Sequence, residues 1–209
     1  MARPKPRFRG IPHLVGAIVA LPAVVMLANA AQPGLYTDAA IVYGTCLMCL
    51  LGSSATYHTP YWSKPIRARL RVLDHAMIYV LIGGSYVPYL ATLGDAAPSW
   101  IGPVVLIGST LGILQTFFWS NAPRALRTMA YVVLGLIAVI IMPAMYTHLG
   151  ADIFWLMTAG GICYLVGAVI YARRYPNPNP LVFGYHEVFH CLVDLAAAIH
   201  FVAMWRILT

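Results

Sequence analysis

HEVFHCLVDLAAAIHF, residues His186 to Phe201, supports two readings that lead to different folds. Its first five residues spell H-E-x-x-H, the helical motif in which two histidines hold zinc and a glutamate acts as base in metalloproteases. With its flanks, at roughly 184–205, it is also an apolar run long enough to cross a bilayer. Composition decides between them. Of 209 residues, 61% are hydrophobic and 9% charged, whereas a soluble domain has about a quarter of its residues charged. The chain reads as an integral membrane protein, and this stretch as a span whose first turns are polar.

Six further runs of similar length fall at roughly 12–32, 39–59, 73–93, 99–119, 129–147 and 152–171. Each matches the ~20 residues that cross ~30 Å of hydrocarbon. An all-α membrane protein of seven transmembrane helices in a single domain, 1–209, is predicted. The basic segment 1–10 leads into a run without a signal-peptide cleavage site, so it is read as retained. Arg3, Lys5, Arg7, Arg9, Lys64, Arg67, Arg69, Arg71, Arg124, Arg127, Arg173 and Arg174 all fall on one side of the seven spans. Asp38, Asp95 and Asp152 fall on the other. The positive-inside rule then places the N-terminus in the cytoplasm and the C-terminus, with Arg206, outside. The net charge of +7 reflects this topology and attraction to anionic lipid, about 1 kcal/mol per basic residue at the surface. The expected partner is membrane lipid, with no nucleic acid, and the expected location is the inner (plasma) membrane. Cys46 and Cys49 form a C-x-x-C inside an apolar run, with no second pair, and are read as packing.

Ionisable groups inside spans are costly and point to function or to a buried partner. Asp74, Glu187 and Asp194 are such groups. Helix 2 ends in SSATYH, with Ser54 and His58 one turn apart. Asp74 is expected in the first turn of helix 3, and His186 and His190 in the first two turns of helix 7. These five side chains share one depth. Residues i and i+4 lie on one helical face, so His186 and His190 can reach one ion and His58 can add a third nitrogen. Three imidazoles with one open position describe a catalytic zinc site. On spacing alone, hydrogen bonding between packed helices is the competing account of the histidines.

Taken together, Ser54-x-x-x-His58, RVLDHAMIYVLIGGSYVPYL with Asp74, and the stretch with His186-x-x-x-His190 resemble the hemolysin III family, the bacterial branch of the progestin and adipoQ receptor proteins. The resemblance covers nearly the whole chain. In that superfamily, which includes alkaline ceramidases, the corresponding histidines bind zinc and the aspartate holds a zinc-bound water. It therefore implies His58, His186 and His190 as Zn2+ ligands, with Asp74 and Ser54 as catalytic support. The implied function is zinc-dependent hydrolysis of a lipid amide or ester in membrane homeostasis. The alternative is a pore-forming, haemolytic or receptor-like protein in which zinc is structural.

A protease reading lacks its third ligand: the position six residues beyond His190 is Ala196, and no acidic residue follows it. Glu187 points about 100° away from His186 around the helix and suits the helix N-terminus, where negative charge is favoured. Asp194 shares the histidine face, to orient an imidazole, relay protons or pair with a polar group. His200 lies ten residues, about 15 Å, beyond His190 and is expected to make a packing hydrogen bond. His75 is expected at the headgroup boundary; His13 and His148 carry no signal. Gly83-Gly84 and Gly108-x-x-x-Gly112 suit close helix contact, Pro88 and Pro143 should kink their helices, and YPNPNP, Tyr175 to Pro180, is a stiff connector.

Overall fold

The computed structural model describes residues 5–209, so Arg3 lies outside the described residues. The chain forms α1 (Ile11–Ala30), α2 (Leu35–His58), α3 (Lys64–Leu93), α4 (Ile101–Phe118), α5 (Arg124–Leu136), α6 (Ala138–His148), α7 (Ala151–Arg173) and α8 (Tyr185–Leu208). With α5 and α6 counted as one crossing, seven segments among the described residues are long and apolar enough to span a membrane. The all-helical expectation holds, and no β-strand forms among the described residues.

Two helices differ from the sequence reading. α3 begins at Lys64, nine residues before the expected start at 73, so Asp74 lies in its third turn. Pro65 presets the first turn, and basic side chains cover apolar surface with their stems while their heads reach outward. A basic stretch read as a loop is thus helix. The fifth crossing breaks at Ile137 rather than at Pro143. At the break, the Tyr86 hydroxyl on α3 stands 3.0 Å from the Leu134 carbonyl and 3.1 Å from that of Gly135. A continuous helix would bond those carbonyls to residues 138 and 139, so a side chain from a neighbour replaces the ladder. α3 itself runs through Pro88 without a break.

Lipid tails are as apolar as leucine, so close packing at small residues holds such bundles together. Gly112 on α4 receives the Tyr79 ring, Gly84 on α3 receives Cys46, and Gly160 on α7 receives the His200 ring. The expected close contacts at glycine therefore form within the chain. α1 lies against both α2 and α8, which brings the first and last helices together at one edge.

Candidate metal centre

The site forms where the N-terminal segment, the end of α2, the third turn of α3 and the start of α8 meet. Lys5 Nζ donates to the Thr59 carbonyl at 2.7 Å and to that of Pro60 at 3.2 Å, satisfying carbonyls just past α2. The Arg7 and Phe8 amides each donate, at 3.1 Å, to the Leu181 and Val182 carbonyls of the α7–α8 connector. Gly10, at φ +86°, passes so close to α2 that a Cβ there would come within 2.7 Å of His58 Cβ. Only glycine suits both the positive φ and the contact. The segment thus lies across the end of the site.

α8 starts at Gly184, whose amide donates to Glu187 Oε2 at 2.7 Å. This is the reciprocal half of a capping box; the other half is missing because glycine has no side chain. Glu187 is 1% exposed and pairs with Arg9. Its carboxylate is therefore committed to the helix start and to the N-terminal segment, away from the histidines. This occupies the residue that a metalloprotease would use as base.

His58, His186 and His190 come together as expected: one ligand atom from each lies within 4.8 Å of the other two. His58 and His190 are buried. The His58 and His186 Nε2 atoms are 3.2 Å apart. Two nitrogens at ~2.1 Å from a tetrahedral zinc sit about 3.4 Å apart, so the His58–His186 pair is spaced for one ion, with a His190 nitrogen within 4.8 Å of both. Asp74 Oδ2 is 3.9 Å from His58 Nε2, the nitrogen that faces His186, and Ser54 stands beside the Asp74 carboxylate. Asp74 is outside the group of mutually close ligand atoms. The donor set is three imidazoles with a carboxylate one step out, which suits zinc with an open position better than a closed tetrahedron.

A cavity of about 370 Å³ runs from these residues between α3, α5, α6, α7 and α8. Ser54, His58, Asp74, His186 and His190 line one end, and Tyr89, Met157 and His200 line it farther along. Most of its wall is aliphatic or aromatic. Leu136 and Val139 on one side and Ile162 on the other line the cavity and are also 44%, 54% and 54% exposed. The cavity therefore opens sideways, between α5/α6 and α7, toward the region that lipid would fill.

Residues singled out for other reasons take plain places. The His200 ring nitrogen Nε2 lies 3.3 Å from the Met157 carbonyl, the packing hydrogen bond expected. His75 Nδ1 is 2.7 Å from the Arg71 carbonyl, and His75 lines the cavity rather than projecting outward. One residue was missed. His13, on α1, is 3% exposed and its ring stacks on that of His190. The signal was available: an ionisable group inside an apolar run deserves the same suspicion as Asp74.

Comparison with known proteins shows the family of the chain. The chain matches the family described as Haemolysin-III related over residues 1–201. It is 30% identical to Hemolysin-3 of Bacillus cereus, covering 91% of this chain and 86% of that protein. It is 32% identical to the Hemolysin-3 homolog of Bacillus subtilis (strain 168), covering 88% and 84%. It is 30% identical to the Adiponectin receptor protein of Drosophila melanogaster, covering 94% of this chain and 50% of the receptor. The seven-span helical chain, with its histidine cluster where three helices converge, belongs to the hemolysin III family.

Proposed function

We propose that this multi-pass membrane protein is a zinc-dependent hydrolase of a lipid amide or ester. One observation carries the reading: three histidines and an adjoining carboxylate lie at one end of an apolar cavity that opens sideways into the bilayer region. His58, His186 and His190 would hold the zinc. When bound, zinc supplies Lewis acidity and brings the pKa of a water down to about 7. Asp74 would hold a water beside the site and take up its proton on the carboxylate, which faces the ligand cluster without belonging to it. Ser54, buried beside Asp74, donates its hydroxyl hydrogen bond to that carboxylate and holds it in place. The aliphatic wall excludes bulk water and receives an acyl chain. From His186 to His200 the cavity follows fourteen residues of α8, about 21 Å of helix. By the charge rule, the basic end with the site faces the cytoplasm. A reporter fused after Thr209 should then be active only if it folds outside the cytoplasm.

The decisive experiment separates Asp74 from Glu187. Asp74→Asn should leave zinc content unchanged and reduce hydrolysis of a lipid amide or ester by a factor of about 10²–10⁴, the usual worth of a general base. Glu187→Gln should leave turnover nearly unchanged. The reverse pattern would restore the metalloprotease reading. Loss of zinc in Asp74→Asn, with no reaction in any variant or in the native protein, would instead make the metal structural and the protein non-enzymatic.

A further inference from the structure

We infer that His13 and Asp194 are positioning residues for His190: they fix the plane of its ring and thereby the aim of its ligand nitrogen. The inference rests on the metal reading above and goes beyond it, since it gives α1 a part in the site. The His13 and His190 rings are nearly parallel, at 9°, with centroids 3.8 Å apart. On its other sides His190 meets His186 at 4.5 Å and His58 at 5.0 Å between centroids. The outer torsion of a histidine side chain is broad, so the direction of the ligand nitrogen depends on what flanks the ring. Here the flank is His13.

His13 is held in turn. Its Nε2 is 3.6 Å from Asp194 Oδ1, and Asp194 follows His190 by one turn on the same face of α8. One helix therefore supplies both the ligand and the carboxylate that faces the ring stacked on that ligand. Gly16, one turn beyond His13, makes room for this: a Cβ there would come within 2.9 Å of Asp194 Oδ1. Both nitrogens of His13, Nδ1 of His190 and Oδ1 of Asp194 are buried and make no hydrogen bond. Buried polar atoms are nearly always paired, and four such atoms in one patch are not explained by packing. The outer nitrogen of a ligating histidine normally meets a carboxylate, a carbonyl or a water, and that partner sets the ring's orientation. His13, stacked flat on the ring, fixes its plane by contact, and Asp194, one turn on along the same face, is the carboxylate at hand for the nitrogen. Neither belongs to the group of atoms that could share one ion, so they support a ligand rather than ligate.

The test measures zinc affinity by chelator competition and the visible spectrum of the cobalt-loaded protein. His13→Ala and Asp194→Asn are each expected to weaken zinc binding by about 10–100-fold, as loss of an outer-sphere partner does, and to shift the cobalt bands. His13→Phe keeps a flat ring on His190 but has no nitrogen for Asp194. It should bind zinc more tightly than His13→Ala and less tightly than the native protein. If His13→Ala does not fold, the volume-preserving His13→Phe and Asp194→Asn decide the matter. Native affinity and an unshifted cobalt spectrum in both of these would overturn the inference, even if metal-free stability fell. Failure of the metal reading looks different: the native protein would bind no zinc, or a His186→Ala/His190→Ala variant would bind it as well as native.

Discussion

Of the helices around the cavity, α2 buries ten of its 24 residues, whereas α5 and α6, together equally long, bury two each. The first wall, with α3 and α8, carries the ligands and is tied to the N-terminal segment by Lys5, Arg9 and the close pass of Gly10. The second is broken at Ile137, is held there by one tyrosine hydroxyl, and presents Leu136 and Val139 on both its inner and outer surfaces. The histidine cluster sits on the wall with many restraints. In the proposed reaction, access for a lipid would fall to the wall with few, where a small shift costs little.

Four predictions probe this contrast. The largest effect belongs to the ligands: His186→Ala with His190→Ala should remove zinc. At zinc a thousandfold above its dissociation constant, this forfeits about 4 kcal/mol of stabilisation. It should be read as a lower melting temperature that a chelator reproduces in the native protein. Next is the buried pair. Arg9→Ala leaves the Glu187 carboxylate without its cation and should cost about 3 kcal/mol, with most of that regained in Arg9→Ala/Glu187→Gln. A cost under half a kilocalorie would show that the N-terminal segment does not restrain the first wall.

The last two predictions concern the second wall. Tyr86→Phe removes the hydroxyl shared by the Leu134 and Gly135 carbonyls and should cost about 1 kcal/mol, measured by melting in detergent. Pro143→Ala should change stability by only a few tenths of a kilocalorie, the scale of a surface substitution, because the break lies at Ile137. If Pro143→Ala matters and Tyr86→Phe does not, the proline and not the tyrosine makes this wall irregular.

What the sequence made legible follows the same division. Seven spans and three metal-binding candidates could be read because hydropathy and i, i+4 spacing are local signals. The N-terminal boundary of α3 was not, because Lys64 to Arg71 reads as a polar loop when charge alone is weighed, although Pro65 signals a helix start. The break at Ile137 depends on a hydroxyl 48 positions away in α3, which no local pattern reports. Pro143, the local signal, lies six residues beyond that interruption, inside α6. His13 went unrecognised for a related reason. A lone histidine in α1 marks an ionisable group but not its partners, and its place beside His190 arises only from α8 lying against it. Glu187 was placed at the helix N-terminus from its angle around the helix, but its partner Arg9, 178 positions distant, emerged only with the fold.

The meeting of α1 with α8 has a consequence for how the protein is made. The two helices are joined near one end by the pairing of Arg9 with Glu187 and at the other by the Gln32 amide bonding to the Leu208 carbonyl at 2.9 Å. Helices enter the membrane in the order of synthesis, so α1 must wait through five intervening crossings for its partner. Two of the three histidines arrive with that same last helix. On the zinc reading proposed above, the nascent chain can hold no ion until α8 is inserted, and metal loading becomes the final step of biogenesis. A chain halted before Tyr185 should reach the membrane, remain metal-free and expose the unpaired face of α1 to quality-control proteases.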